Sequence, residues 1–171
     1  MRNYKAIIFL FSLSFFILSN VKKNEVAKVT TAGKWTGTVS FFEKRIGSEA
    51  FISEWHMDAA ITNDTGTVIH TSKYSDSHGS GRCRNQGKTE LEVGIDDEKN
   101  IYSINVNVPG CNGTQTRDGV DSPYPITDET AITINDQPLR NQNILSGRTS
   151  KTDLLSGVEI TTIYTWHLTR R

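Results

Sequence analysis

The chain has 171 residues, a length suited to one domain around one core, and its 19 Lys and Arg balance its 19 Asp and Glu. A formal charge of zero argues against a nucleic-acid partner, which normally calls for a basic face. It also argues against strong attraction to an anionic membrane.

Arg2 and Lys5 precede an apolar stretch, Ala6 to Leu18, broken only by Ser12 and Ser14. The stretch is shorter than the roughly 20 residues a spanning helix needs and fits the core of an export signal. Residues 1–20 are therefore expected to be a signal peptide, with Ser19 or Ala27 as cut points. The competing reading is an uncleaved anchor. Residues 21–32 are polar and aperiodic and read as a linker. The folded domain is then 33–171, with no membrane span, in a secreted or periplasmic protein.

From Trp35 onward, apolar residues alternate with polar ones, the period of a half-buried strand. Eight strands are expected. The first is 35–43, with Trp35, Val39 and Phe41 on one face. The second is 50–62, with Phe51, Trp55, Met57, Ala59 and Ile61 aligned. The third is 67–74. The fourth, 89–95, aligns Leu91, Val93 and Ile95. The fifth, 101–108, aligns Tyr102, Ile104, Val106 and Val108. The sixth and seventh are 130–135 and 144–149. The eighth, 158–170, aligns Val158, Ile160, Tyr164, Trp166 and Leu168.

The connections carry the topology. Asn63-Asp64-Thr65-Gly66 is a tight-turn signal. A turn of that length sets Ile61 opposite Val68, Ala59 opposite His70, Met57 opposite Ser72 and Trp55 opposite Tyr74. Residues 75–88 and 109–129 read as long loops, and in an up-and-down meander both fall at the same end. Each holds one of the two cysteines, Cys83 and Cys111. In an exported chain the pair is expected to form a disulfide across that rim.

Eight antiparallel strands can close into a barrel. Gly33-Lys34-Trp35 opens the first strand and Arg170 ends the last. This pattern resembles the lipocalins and the broader calycin superfamily. The resemblance implies a lipocalin-like barrel in which Trp35 plugs the closed end and Arg170, or Arg171, covers its ring. An eight-stranded β-sandwich is the alternative all-β architecture.

Two groups of residues stand out as candidate binding residues. Trp55, His70, Tyr74 and Tyr102 would face the barrel interior, as polar hooks and aromatic walls of a small-ligand pocket or simply as packed core. His78, Arg82 and Arg84, with Arg117 in the other long loop, would form a basic rim able to grip an anion, or a solvated loop. His56 and His167 point away from the core, and no His or Cys spacing fits a metal site. Asp118, Asp121 and Asp128 lack calcium-loop spacing. No nucleophile elbow or paired catalytic carboxylates are legible, and no cofactor is implied. The expected function is a secreted binding protein, a monomer or small oligomer, holding a small apolar, amphipathic or anionic ligand. The alternative is a module that contacts a protein or glycan through its stapled loops, with a solid interior.

Overall fold

The computed structural model describes residues 33–48, 50–126 and 130–171. The expected leader and linker, 1–32, lie outside them. Among the described residues ten antiparallel strands are formed: β1 (Trp35–Ile46), β2 (Ile52–Thr62), β3 (Thr65–Asp76), β4 (Gly79–Asp96), β5 (Ile101–Val108), β6 (Gly113–Arg117), β7 (Val120–Pro123), β8 (Thr130–Pro138), β9 (Ile144–Leu155) and β10 (Val158–Arg170). Among the described residues no helix is long and apolar enough to cross a membrane.

All eight expected strands are present, and their neighbours follow chain order. Pairing runs β9-β10-β1-β2-β3-β4, then β5 on β4 and β8 on β5. The all-β, antiparallel expectation stands. Two finer expectations are corrected. The count is ten, because the segment after β5 folds its own hairpin, β6–β7, around Asp118 and Gly119, both at positive φ (49° and 79°). The barrel is also not closed. Among the described residues β8 pairs only with β5, and β9 only with β10. β8 is irregular near this seam. Asp136 sits at φ 51°, the opposing register slips between Tyr102 and Ile104, and Pro138 at the strand end has no N–H to donate.

The expected loop 75–88 is also corrected: it is strand. β3 and β4 continue to a two-residue turn at Ser77-His78, where Asp76 Oδ1 accepts from the backbone N–H of His78 (2.8 Å) and Gly79 (2.9 Å). The glycines here serve close packing. A Cβ on Gly81 would lie 2.4 Å from the Tyr74 ring.

The β2–β3 turn is tighter than expected. Asn63 and Asp64 both take positive φ (55° and 67°), as a two-residue hairpin demands. The register is therefore Ile61 opposite Gly66, Ala59 opposite Val68, Met57 opposite His70 and Trp55 opposite Ser72. The shift is two residues, so every side chain keeps its expected face.

The core fills one end of the curled sheet, here called the base. Val39, Ile61, Val68, Leu91, Ile95, Ile104, Ile132, Leu145 and Leu168 are buried there. Trp35 is 3% exposed. The β2–β3 turn fastens it: Trp35 N–H donates to Asp64 Oδ1 (2.7 Å), and Asp64 N–H returns a bond to the Trp35 carbonyl (3.0 Å). Arg170 pairs with Trp35 in the β1–β10 ladder, and its side chain lies against Gly33.

Candidate functional site

At the other end, the rim, the sheet is unequally walled. β1, β2, β3 and β10 run 11 to 13 residues, whereas β5 has 8 and β8 has 9. β5 meets β4 only over Leu91–Asp96, so the rim-side half of the inner face has no wall from β5 or β8. There β4 takes β6 instead, over Gly79–Cys83. Between these two ladders the gap is stitched by other means. The Cys83–Cys111 disulfide forms as expected, with Cα atoms 5.7 Å apart. Asn85 Nδ2 donates to the Gly110 carbonyl (2.6 Å) and Thr89 Oγ1 to the Asn107 carbonyl (2.5 Å).

The inner face of this half carries aromatic and charged side chains together. The Phe41 and Tyr164 rings meet at a tilt of 60°, 5.2 Å between centroids. Arg45 Nε donates to Glu43 Oε1 at 2.6 Å, and the Arg45 guanidinium lies 5.8 Å over the Trp55 ring. Trp55 in turn lies 6.0 Å from the His70 ring. Tyr74 stacks on Tyr124 at 5.2 Å and donates its hydroxyl hydrogen to Gln115 Oε1 at 2.7 Å. Phe41, Trp55, Tyr74, Tyr124 and Tyr164 are all half-buried. Burial, aided by the negative charge of Glu43, pushes the Tyr164 phenol above its usual range.

The structure brings Trp55, His70 and Tyr74 onto this one face, as alternation required. His70 is fully buried; its Nδ1 lies 3.2 Å from the Pro109 carbonyl. Its Nε2, and the Ser72 hydroxyl two residues on, have no protein partner. Burial holds the His70 imidazole below its ordinary pKa, against a smaller opposing pull from the Pro109 bond. Tyr102 lies elsewhere, in the base, where its hydroxyl accepts from Trp166 Nε1 at 2.7 Å.

The four expected basic-rim residues separate. Arg82 and Arg84 flank the inward Cys83 and are exposed on the convex face, in a groove of about 520 Å³ that also holds Glu54 and Asp58. His78 and Arg117 meet at the hairpin tips but already have acidic neighbours. Arg117 Nη2 lies 3.5 Å from Asp76 Oδ2, and His78 Nδ1 3.5 Å from Asp118 Oδ1.

Sequence reasoning missed Glu43, Arg45 and Tyr124. The first two had a signal. Counting by twos from Val39 and Phe41 leads to Glu43 and Arg45, so the inner face of β1 changes from apolar to charged as it reaches the rim. Tyr124 had none, because it lies in an irregular stretch after β7.

No family model matches the chain, and neither does any curated protein or solved structure.

Proposed function

We propose that this chain is an exported binding protein that holds a small amphipathic ligand against the concave, rim-side half of its sheet. The observation that carries the reading is the unwalled inner face, where half-buried aromatics surround one ion pair. Ligand sites combine mostly apolar walls with a few placed polar groups. Phe41, Trp55 and Tyr164 supply the walls. The Glu43–Arg45 pair is a hook that can exchange its internal partner for a polar group of the ligand. Export is supported by the leader composition and by a disulfide, a bond that persists in oxidising compartments. The calycin resemblance belongs to this proposal too. The chain-order meander, the buried Trp35 and the Arg170 opposite it support it.

The solid base favours a second reading, contact with a protein or glycan through the rim hairpins. Titration with Nile red, an uncharged apolar dye, separates the two. Saturable binding is expected, with quenching of Trp55, the half-buried member of three tryptophans whose other two are each 3% exposed. Phe41→Ala is expected to weaken it about tenfold, as loss of a large apolar contact does. A folded protein that binds no dye, or binds it unchanged in the F41A variant, rules against the concave site.

A further inference from the structure

The unpaired seam between β8 and β9 contains a second, chemically different groove of about 360 Å³. Its floor is the Trp166–Tyr102 pair. The Trp166 ring packs against Gly147, where a Cβ would come within 2.4 Å of it. Trp166 Nε1 donates to the Tyr102 oxygen at 2.7 Å. The Tyr102 hydroxyl, on a residue only 4% exposed, has one hydrogen of its own, and that hydrogen meets no acceptor among the described residues. Tyr102 lines the groove, so this hydrogen is available to an acceptor that enters it.

The groove walls point to the nature of that acceptor. Arg140 and Arg148 line it, and no Asp or Glu does. Neither guanidinium forms an ion pair among the described residues. The convex groove beside Arg82 and Arg84 lacks this imbalance, because Glu54 and Asp58 share it. At the rim, Arg117 already faces Asp76.

We propose that the β8–β9 seam binds a small oxyanion, a carboxylate, sulfate or phosphate group, gripped by Arg140 and Arg148 with the Tyr102 hydroxyl as a further donor. Arginine presents a planar fork of donors that matches such groups. The irregular β8 has a role in this picture: a regular ladder to β9 would seal the groove. The site is independent of the concave face and would stand if that reading failed.

The test is a titration of the full chain with sodium sulfate, inorganic phosphate and sodium benzoate in turn. Ionic strength is held constant with sodium chloride, and the three tryptophan indole N–H signals are followed by NMR. The Trp166 signal should shift and saturate with at least one probe, while that of Trp55 stays in place. Arg140→Gln and Arg148→Gln should each weaken binding about tenfold, the usual scale for losing a charged hydrogen bond. Both residues are exposed, so these variants are expected to fold. A Trp166 shift that grows linearly without saturation is ion screening and overturns the proposal. Equal binding by a folded R140Q/R148Q double variant overturns it as well. A saturable shift at Trp55 alone moves the anion to the concave face and also refutes it.

Discussion

Lowering the pH from 7.5 to 5.5 should destabilise this protein through His70. Unfolded, the imidazole takes up a proton near pH 6.5; folded, burial holds its pKa lower. Protonation in place would put a charge among apolar neighbours and give Nε2 a hydrogen with no acceptor. Above pH 6.5 both states are neutral and the residue contributes no pH dependence. Below it, the unfolded chain binds a proton that the folded chain refuses, so stability falls as pH falls until the depressed folded pKa is reached. If the folded imidazole stays neutral throughout, the loss by pH 5.5 is about 1.4 kcal/mol. The other three histidines, His56, His78 and His167, are exposed. Three carboxyls are held below the usual carboxylate range and so titrate outside this window. For Glu54 the main cause is the Lys73 hydrogen bond, for Asp76 the His78 N–H, and for Asp96 the Lys99 hydrogen bond. Urea unfolding at the two pH values measures the loss. His70→Gln, neutral throughout, should be less stable at pH 7.5 but lose about 1.4 kcal/mol less between the two pH values. Equal pH losses in wild type and H70Q would refute the reasoning, as would a His70 pKa at or above 6.5 measured by NMR.

Two further outcomes concern the staples of the fold. Cys83→Ser with Cys111→Ser opens a loop with a sequence separation of 28 and is expected to cost about 3 kcal/mol in chemical denaturation; a loss below about 1 kcal/mol would contradict that expectation. Asp64→Ala removes the acceptor for Trp35 N–H and places alanine at φ 67°, with an expected loss of about 2 kcal/mol. Asp64→Asn keeps both the acceptor and the tolerance for positive φ, so it should retain most of that stability in the same assay.

Strand existence was legible wherever one face met the apolar base, because alternation is the direct record of a two-sided environment. Leu91, Val93 and Ile95 marked their half of β4. The other half did not show, because its inward positions are Cys83, Asn85, Gly87 and Thr89. Two of these are polar and satisfied by main-chain carbonyls across the gap, a fact that exists only after folding. Face assignment survived the misjudged β2–β3 turn because an error of two residues leaves parity unchanged. Trp55, His70 and Tyr74 were therefore correctly grouped. His78, Arg82 and Arg84 were grouped by sequence proximity, and Arg117 because its loop was expected at the same rim. Arg82 and Arg84 flank Cys83 and must point opposite to it, so period two already separated them from the interior. The arginines of the seam could not be found this way. Arg140 lies in a turn and Arg148 on an outward position, and what joins them is the failure of β8 to pair with β9.

The two ends of the sheet solve the stability problem differently, and the difference bears on where ligands can bind. In the base, β4, β5 and β8 cover the faces of β1, β2 and β10, and burial of aliphatic side chains offsets the entropy of ordering the chain. Such a core is close-packed and leaves little room for a ligand. In the rim half β5 and β8 no longer contribute to that layer. Inward positions there mix half-buried aromatics with arginine, glutamate, histidine and serine, and bury less apolar area than the aliphatic base. Order must come from elsewhere: a covalent link that restricts the unfolded chain, the Tyr74–Gln115 and Gln115–Ser122 hydrogen bonds, and two-residue turns that set the hairpins. These devices hold the backbone without filling the space above the sheet. The staples thus make this aromatic face stable enough to persist, and they lie on β3, β4, β6, β7 and the Cys111 segment before β6, clear of Phe41, Trp55 and Tyr164.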